Sequence, residues 1–584
     1  MTQDKKILFL LQDFPYPPSN GINRKVYSLL SSLAVRGWRC DVLCFGGTDA
    51  EARIPAFEAA LPGVRVLAVV PPVCGAAGVL RRLLSLLRGL PPSLGTYNSE
   101  RFRQVLREAA KTGKYKAAHY DVINMAQYLP WGPRVPSVLS SNDAISRFYQ
   151  GMITESSGFL RRSYLRLSMS RIVRFEKNVY PLFDRVHVVS REDAAYLKRI
   201  SPGLRIEVIP LGAEIGSSDV ATPCVVKKGG PVRVVFTGNL DIPGIANGLF
   251  EFLEHDYPGL IARAPTFEFH VLGPRASAAD EQRIRGFPRL KYFKWVEDYH
   301  KFLEEADILL SLDKSGTGIK TRVLDALALG KTVVGTSVAF GGIAVENGKH
   351  CLVCNGSRQV AEALERLLLE PALRETIGLA AHELMRTKYS LAVVGDEWDK
   401  LYKSLSAAAS QGEGEGERSG FPAGSAVAGP QGPFALVRFL AVAVVLGFLT
   451  SVAFPYYFKA VEKALARDAF YQGEIVNEAY LKYKATHHKR LYGTLSDATN
   501  TETCDLNGSS ICILIHGGYL QRRAWSALPY TYSVEKSCPK RTTACVRRIS
   551  GTGVYAYWGY DYNSSGNSVP VGNAPTFTSG TRGK

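Results

Sequence analysis

The stretch from Gly316 to Asp325 combines glycines, cations and a carboxylate in an order that suits phosphate chemistry. A turn with Gly316 and Gly318 leaves a strand-like run and enters a helical pattern, an arrangement that can hold a diphosphate. Lys320 and Arg322 lie where the helix dipole disfavours cations, so an anionic ligand would explain them. Asp325, one to two turns further on, could accept ribose hydroxyls. The alternative is a solvated Lys/Arg pair beside a surface carboxylate.

Two further loops follow predicted strands and contain a glycine that allows close backbone approach to a ligand. The first runs from Phe14 to Gly21, and its prolines forbid an early start of the next helix. The second, residues 236–241, contains Gly238 and Asn239. On its residues alone, each loop also fits a purely structural turn.

Regular elements must position these loops, and the first 405 residues alternate apolar strands with helical patterns. Continuous Val/Ile/Leu strands between helices indicate buried parallel sheets. Two such sets predict an α/β protein with doubly wound, Rossmann-like domains at residues 1–205 and 206–405, facing across a cleft. The main predicted strands are Lys6–Leu11, Arg39–Leu43, Tyr120–Asn124, Val135–Leu139, Arg185–Val189, Ile206–Ile209, Val232–Thr237, Phe267–Leu272, Ile308–Leu312 and Thr332–Gly335.

The composition is globular and basic. Hydrophobic residues make up 46% and charged residues 21% of the 584 residues, which excludes wholesale disorder. A net charge of +18 suggests anionic partners such as nucleotide or lipid phosphates. Basic amphipathic stretches at residues 79–90 and 159–176 fit either an anionic membrane surface or a solvated face. No nucleic-acid partner is expected, because no binding module for one is recognisable.

The last third of the chain has a different character. Residues 406–433 are rich in Gly, Ala, Ser and Pro and predict a flexible linker. Residues 434–454 contain one charge in 21 residues, which predicts a single transmembrane helix, with a buried soluble helix as the alternative. Residues 455–584 form a polar tail. Its four cysteines indicate two disulfides of undetermined pairing: Cys504, Cys512, Cys538 and Cys545.

The expected location is the inner membrane, crossed once. Met1 leads into the first strand without a signal peptide, so the α/β domains are expected in the cytoplasm. The tail is then expected on the periplasmic or extracellular side, where disulfides form. The charges flanking the predicted span favour the opposite orientation by the positive-inside rule.

Taken in order, these motifs resemble the retaining glycosyltransferases of GT-B fold, which use nucleotide-sugar donors. The segment from Gly316 to Gly330 resembles their donor-site helix, and residues 7–21 resemble their first strand and acceptor-side loop. Residues 188–212 and 236–238 match in the same order, so the resemblance covers roughly residues 5–405. It implies a nucleotide-sugar donor, a glycan or lipid-linked acceptor, and no metal or other cofactor.

The resemblance also assigns roles to residues. Lys320 and Arg322 would stabilise the leaving diphosphate electrostatically. His119 and Asp143 would contact the acceptor or help remove its proton. The donor would be held by Gly21, Gly238, Asn239, Gly316, Thr317, Gly318 and Asp325.

A second resemblance begins at Phe434, where the sequence is similar to the N-terminal helix of type IV pilins. Phe434 corresponds to their first mature residue, and Pro455 lies 21 residues later. Pro433 and Arg438 stand where that family has glycine and an acidic residue. Two hypotheses follow: a membrane-anchored glycosyltransferase with a pilin-like tail, or a pilin-like structural subunit with an inactive glycosyltransferase-like domain.

Overall fold

The computed structural model describes residues 5–18, 21–47, 49–156, 158–215, 230–264, 267–410 and 454–488, together with shorter pieces of the tail. These pieces are residues 490–491, 494–495, 511, 513–516, 530–534, 538, 543–548, 559–563 and 568–571. The chain divides into two compact units, Met1–Pro430 and Gln431–Lys584.

The first domain is built on a sheet of seven parallel strands. They are β1 (Lys6–Leu11), β2 (Arg39–Phe45), β3 (Val64–Val70), β4 (Ala117–Asp121), β5 (Ser137–Asn142), β6 (Arg185–Val188) and β7 (Ile206–Val208). Their order in the sheet is β3-β2-β1-β4-β5-β6-β7. Five of the six residues of β1 are buried, because helices cover both faces of a parallel sheet.

The helices of the first domain connect these strands. They are α1 (Gly21–Val35), α2 (Ile54–Ala60), α3 (Gly75–Leu87), α4 (Ser93–Thr96), α5 (Glu100–Thr112), α6 (Val122–Met125), α7 (Ile145–Glu155), α8 (Phe159–Val179) and α9 (Arg191–Ile200). Short 3₁₀ turns lie at Glu51–Arg53, Ala126–Trp131 and Tyr180–Leu182. The apolar positions at helical spacing in α1 are buried, which places this helix against the sheet.

The second domain has a six-stranded parallel sheet in the order β10-β9-β8-β11-β12-β13. Its strands are β8 (Val232–Thr237), β9 (Phe267–Leu272), β10 (Leu290–Phe293), β11 (Ile308–Ser311), β12 (Thr332–Gly335) and β13 (Leu352–Val353). Its helices are α10 (Pro243–His255), α11 (Tyr257–Arg263), α12 (Ala278–Arg285), α13 (Tyr299–Glu304), α14 (Thr321–Ala328), α15 (Ser357–Leu369) and α16 (Pro371–Leu384). A π-helical turn, Met385–Tyr389, leads into α17 (Leu391–Ser410).

In the first domain β1 has the predicted bounds, whereas β2, β4, β5, β6 and β7 differ from the predicted strands by one to three residues at one or both ends. The bounds of β8, β9 and β12 are as predicted. The prediction of a strand at Tyr120–Asn124 is wrong, because β4 ends at Asp121 and Val122, with a φ of 59°, turns the chain into α6. β5 begins and ends later than predicted, and β3, β10 and β13 were not predicted.

The domain bounds differ from the predicted ones at both ends of the second domain. β7, predicted to open the second domain at residue 206, completes the first sheet. α17 lies in the range predicted for the second domain but packs into the core of the first: Trp38 Nε1 donates to Asp399 Oδ1 at 2.8 Å. Residues 406–410, predicted as linker, are the last part of this helix.

The second unit joins a long helix to an antiparallel sheet. α18 (Phe454–His487) and a short helix, α19 (Ile513–His516), accompany β14 (Tyr530–Val534), β15 (Ala544–Arg548), β16 (Gly559–Tyr562) and β17 (Ser568–Val571). The strands lie in sequence order. Buried aromatic side chains connect helix and sheet, and the Tyr562 hydroxyl donates to the Phe470 carbonyl at 2.6 Å.

The tail contains a disulfide between Cys538 and Cys545. Cys504 and Cys512 lie outside the described residues, so the second predicted disulfide stays a prediction. The predicted transmembrane helix also lies outside them, apart from Phe454. Across the described ranges, no helix combines the length and apolarity needed to span a membrane.

Candidate active site

The first turns of α1 and α14 approach each other closely where the two α/β domains meet. Gly21 begins α1, and a Cβ built on it would lie 3.2 Å from Cγ2 of Thr321, the first residue of α14. A larger residue at this position would require the Thr321 side chain to shift. The sequence predicts that the backbone at Gly21 approaches a ligand closely. In this structure the backbone at Gly21 closely approaches Thr321 of the opposite domain.

The loop between β11 and α14 depends on its glycines. Gly316 has a φ of 141° and Gly318 a φ of 64°, a region that L-residues with side chains rarely adopt. A Cβ on Gly318 would overlap the carboxylate of Asp143, which follows β5 of the first domain. No side chain caps α14, whose first turn therefore presents the positive end of the helix dipole.

Lys320, at the end of this loop, and Arg322, in the first turn of α14, both have internal partners. Lys320 Nζ donates to the carbonyl oxygens of Thr317 at 2.7 Å and Gly318 at 3.1 Å. Burial lowers the pKa of Lys320, since desolvation disfavours its charged form. Arg322 forms an ion pair with Asp313. Burial opposes ionisation of Asp313, yet the Arg322 charge and hydrogen bond hold the pKa of that carboxyl below its ordinary value.

Two buried polar atoms, one on the loop and one in the first turn of α14, have no hydrogen-bond partner in the described part of the chain. They are the hydroxyl oxygen of Thr317 and Nε of Arg322. Buried polar atoms in folded proteins are nearly always satisfied by protein, water or a ligand. The guanidinium therefore has one donor available for an oxygen acceptor, beside the N-terminus of α14.

Asp325, the predicted ribose-binding carboxylate, pairs with the first domain. Arg24 of α1 donates Nη1 to Oδ2 at 2.7 Å and Nη2 to Oδ1 at 3.0 Å. Burial raises the pKa of Asp325, although the hydrogen bonds and charge of Arg24 act in the other direction. Both carboxylate oxygens are thus bound by a guanidinium that belongs to the opposite domain.

Asp143 lies in a poorly solvated position against the loop between β11 and α14, residues 312–320, which we call the donor-side loop. Burial, together with the nearby charge of Asp193, raises the pKa of Asp143 to about 6. Asp193 is itself buried and accepts a hydrogen bond from Arg147 at 3.0 Å. A carboxylate with this pKa can accept a proton near neutral pH.

The two domains match family models of one enzyme class. Residues 20–212 match a family described as "Glycosyl transferase 4-like domain", and residues 231–370 match "Glycosyl transferases group 1". The chain carries glycosyltransferase group 1 domains. No curated protein matches the chain in sequence.

Solved structures resemble these two domains in fold. TarM is 10% identical, with a TM-score of 0.50 over 69% of this chain and 99% of that one. A sucrose-phosphate synthase from Thermosynechococcus elongatus is 17% identical, with a TM-score of 0.49 over 69% and 100%. Anabaena HepE in complex with UDP and glucose is 15% identical, with a TM-score of 0.46 over 68% and 100%. The α/β fold of two Rossmann-like domains with parallel sheets is that of the GT-B class.

His119 does not lie at the end of a strand. It is fully buried within β4, and its Nδ1 is 2.7 Å from the Tyr402 hydroxyl of α17. Burial lowers its pKa, against the hydrogen bond and charge of Asp121. The expected position near a strand end is wrong because β4 begins at Ala117, three residues earlier than predicted, which places His119 in the middle of the strand.

Gly238 and Asn239 follow β8 as predicted. A Cβ on Gly238 would lie 2.7 Å from Cγ2 of Ile245, so the packing of α10 requires a glycine at this position. Asn239 is half-buried, and its carbonyl accepts the Ile242 N–H at 3.2 Å. The described contacts of both residues are structural, and their donor contacts stay predictions.

Three charged residues at or beside the candidate site were absent from the sequence prediction: Arg24, Lys25 and Asp313. Arg24 and Lys25 stand in the first turns of α1, the same signal that marked Lys320 and Arg322 in α14. Asp313 follows the end of β11 by two residues, where parallel sheets place ligand-binding groups. Cations at a helix start and a carboxylate just after a strand are both visible in the sequence. Neither pattern indicates which residue pairs with each charge.

Proposed function

We propose that this glycosyltransferase moves a sugar from a nucleotide-sugar to a glycan or lipid-linked acceptor, with retention of anomeric configuration. The observation that carries the proposal is the glycine-rich loop at the N-terminus of α14, where Arg322 keeps a buried donor without a partner. A leaving diphosphate would accept this N–H and be stabilised by the helix N-terminus.

Lys320 would change partners when the donor binds. Its Nζ now donates to two carbonyls of its own loop, so it is pre-positioned beside the turn rather than exposed to solvent. A diphosphate oxygen is a stronger acceptor for an ammonium than a neutral carbonyl is. Asp325 would accept ribose hydroxyls once Arg24 yields one or both of its hydrogen bonds.

Asp143 is the proposed acceptor-side group. It stands on the first domain, against the loop that would hold the leaving group, and its raised pKa suits proton acceptance. We expect no metal ion to be required, since no Asp-x-Asp motif follows a predicted strand.

We further propose that residues 434–454 anchor the enzyme in the inner membrane, with the α/β domains in the cytoplasm and a pilin-like tail outside. The Cys538–Cys545 disulfide supports an oxidising location for the tail. Thiol labelling of intact cells should modify these two cysteines only after reduction. Labelling without reductant would place the tail in a reducing compartment.

The proline at position 433 makes processing at Pro433–Phe434 unfavourable, because its ring and fixed φ alter the backbone before that bond. The chain should therefore stay joined through the anchor. Membrane fractionation and mass measurement test this. A soluble fragment ending at Pro433 would overturn the anchor.

Donor binding tests the enzymatic proposal directly. A nucleotide-sugar that binds the folded state should raise the melting temperature of the full chain, and UDP-glucose, GDP-mannose and ADP-glucose are suitable probes. Arg322→Ala should abolish the shift, while Arg358→Ala, on the exposed face of α15, should retain it. Absence of a shift with every nucleotide-sugar would favour the inactive-domain alternative.

A further inference from the structure

The exposed sides of α3 and α8 in the first domain combine apolar and basic side chains. On α3, Leu80 is 46% and Leu87 50% exposed, and on α8 both Phe159 and Leu160 are 83% exposed. Large side chains of this kind are ordinarily exposed singly. Here they recur on two neighbouring helices.

The charge on these helices is of one sign. Residues 75–90 and 159–175 contain eight arginines and no carboxylate. Within the described residues, Arg88, Arg161 and Arg166 form no ion pair with a carboxylate. Their charge is therefore available to an external anion.

The two helices lie beside each other, and we call their exposed apolar and basic side chains together the arginine–leucine face. Tyr149 on α7 is in electrostatic contact with both Arg82 of α3 and Tyr164 of α8. A Cβ on Gly89, just after α3, would lie 3.8 Å from Nη1 of Arg174 of α8. The apolar groups of both helices can thus contact a single partner.

The same face borders the candidate active site. α7 packs beside α8, and a Cβ on Gly151 of α7 would lie 3.9 Å from Cβ of Ser315 in the donor-side loop. A partner on this face would therefore be close to the cleft.

We propose that the arginine–leucine face docks on an anionic lipid bilayer. Exposed leucines and phenylalanine would enter the boundary between headgroups and acyl chains, while arginines extend to the lipid phosphates. The aliphatic groups distinguish this partner from nucleic acid, which binds arginine through phosphates and bases but offers no apolar medium for leucine. Docking would hold the cleft at the membrane surface, beside an acceptor carried on lipid.

Photo-crosslinking to lipid tests the docking independently of any anchor elsewhere in the chain. The full chain is reconstituted in vesicles of phosphatidylcholine alone, or mixed with phosphatidylglycerol, with a diazirine lipid in each. Peptides from α3 and α8 should be labelled in the anionic vesicles. Arg161→Gln should weaken docking by about fivefold, the contribution of one arginine near an anionic surface.

Matched variants distinguish docking through the arginine–leucine face from binding through any exposed apolar side chain. Leu87→Glu combined with Leu160→Glu should remove the labelling. Trp295→Glu combined with Leu369→Glu changes two side chains that are 73% and 70% exposed in the second domain, and it should leave the labelling intact. Nucleotide-sugar thermal shifts should be the same in all four proteins, so failure of docking and failure of donor binding are distinguishable.

Three results would overturn the proposal. They are equal labelling of α3 and α8 in neutral vesicles, labelling that persists in the Leu87→Glu and Leu160→Glu variant, and protection of these helices by an RNA oligonucleotide but not by anionic vesicles.

Discussion

The two α/β domains use the cations at their helix N-termini in different ways. In the first domain, Lys25 Nζ donates to Asp121 at 3.0 Å and to Ser140 at 2.7 Å, and only 9% of its side chain is exposed. In the second domain, Lys320 ends a glycine-rich loop and Arg322 lies in the first turn of α14, and this segment retains unsatisfied polar atoms. The same sequence signal therefore marks part of the scaffold in one domain and a candidate ligand site in the other.

Removal of the Lys25 charge should have the largest effect. Lys25→Met leaves Asp121 buried without its main partner, which should lower the free energy of unfolding by about 3–5 kcal/mol. Urea denaturation followed by circular dichroism measures this. Arg36→Met removes a partly exposed ion pair with Asp396 and should cost at most about 1 kcal/mol. Equal losses in the two variants would contradict the scaffold role of Lys25.

The second-domain cations should affect catalysis instead. Arg322→Ala and Lys320→Ala should each weaken transition-state stabilisation by roughly 2–4 kcal/mol if they hold the leaving diphosphate. Steady-state turnover of the nucleotide-sugar gives this value from kcat/KM. Arg366→Ala, an exposed change on α15, is the matched control. Unchanged turnover in both site variants would refute the assignment.

The pH dependence of kcat/KM should reflect the titration of Asp143. If this carboxylate accepts the acceptor proton, kcat/KM should rise about tenfold per pH unit below its pKa of about 6 and level off above it. Asp143→Asn should remove this limb of the profile. The free energy of unfolding should depend on pH in the opposite direction. Because the pKa of Asp143 is raised in the folded protein, this group stabilises the fold fully at pH values below the ordinary carboxyl pKa. That stabilisation is lost as the pH rises through about 6. A profile without this limb in the wild type would exclude Asp143 as the base.

Removal of the ion pair between Arg24 and Asp325, which joins the two α/β domains, should have the smallest effect. Arg24→Met frees Asp325 for ribose hydroxyls, so donor affinity should rise by about fivefold, the value of a partly exposed ion pair near 1 kcal/mol. Isothermal titration with the nucleotide-sugar measures it, and Arg24→Lys, which keeps the charge, should change less. A loss of affinity would instead assign Arg24 itself to the donor.

The accuracy of the strand predictions follows from the residues of each strand. β8, Val232–Thr237, is rich in valine and is followed directly by Gly238, so propensity and turn chemistry agree. β4 contains Ala117, Ala118 and His119, which favour strands weakly, although all five of its residues are buried. The sequence therefore predicts the strand at the more apolar residues that follow, 120–124. Tertiary burial, which local propensity does not contain, decided the true bounds.

The candidate site was predictable in its loops but only partly in its contacts. Glycines with positive φ and cations at a helix start have local causes, so Gly316, Gly318, Lys320 and Arg322 could be selected from spacing alone. His119 could not be placed, because its distance from the strand end changes with a shift of three residues in β4.

The sequence by itself determined two alternating α/β sets, a glycine-rich turn before a helix and the basic balance of the chain, because each depends on residues that are close together in sequence. Only the tertiary structure decided that Arg24 binds Asp325, 301 residues away, and that α17 returns to the first domain. Such pairs depend on how two folded domains bring distant side chains together. Periodicity, propensity and local spacing contain no information about that distance, so the partners of the charges became visible only in the fold.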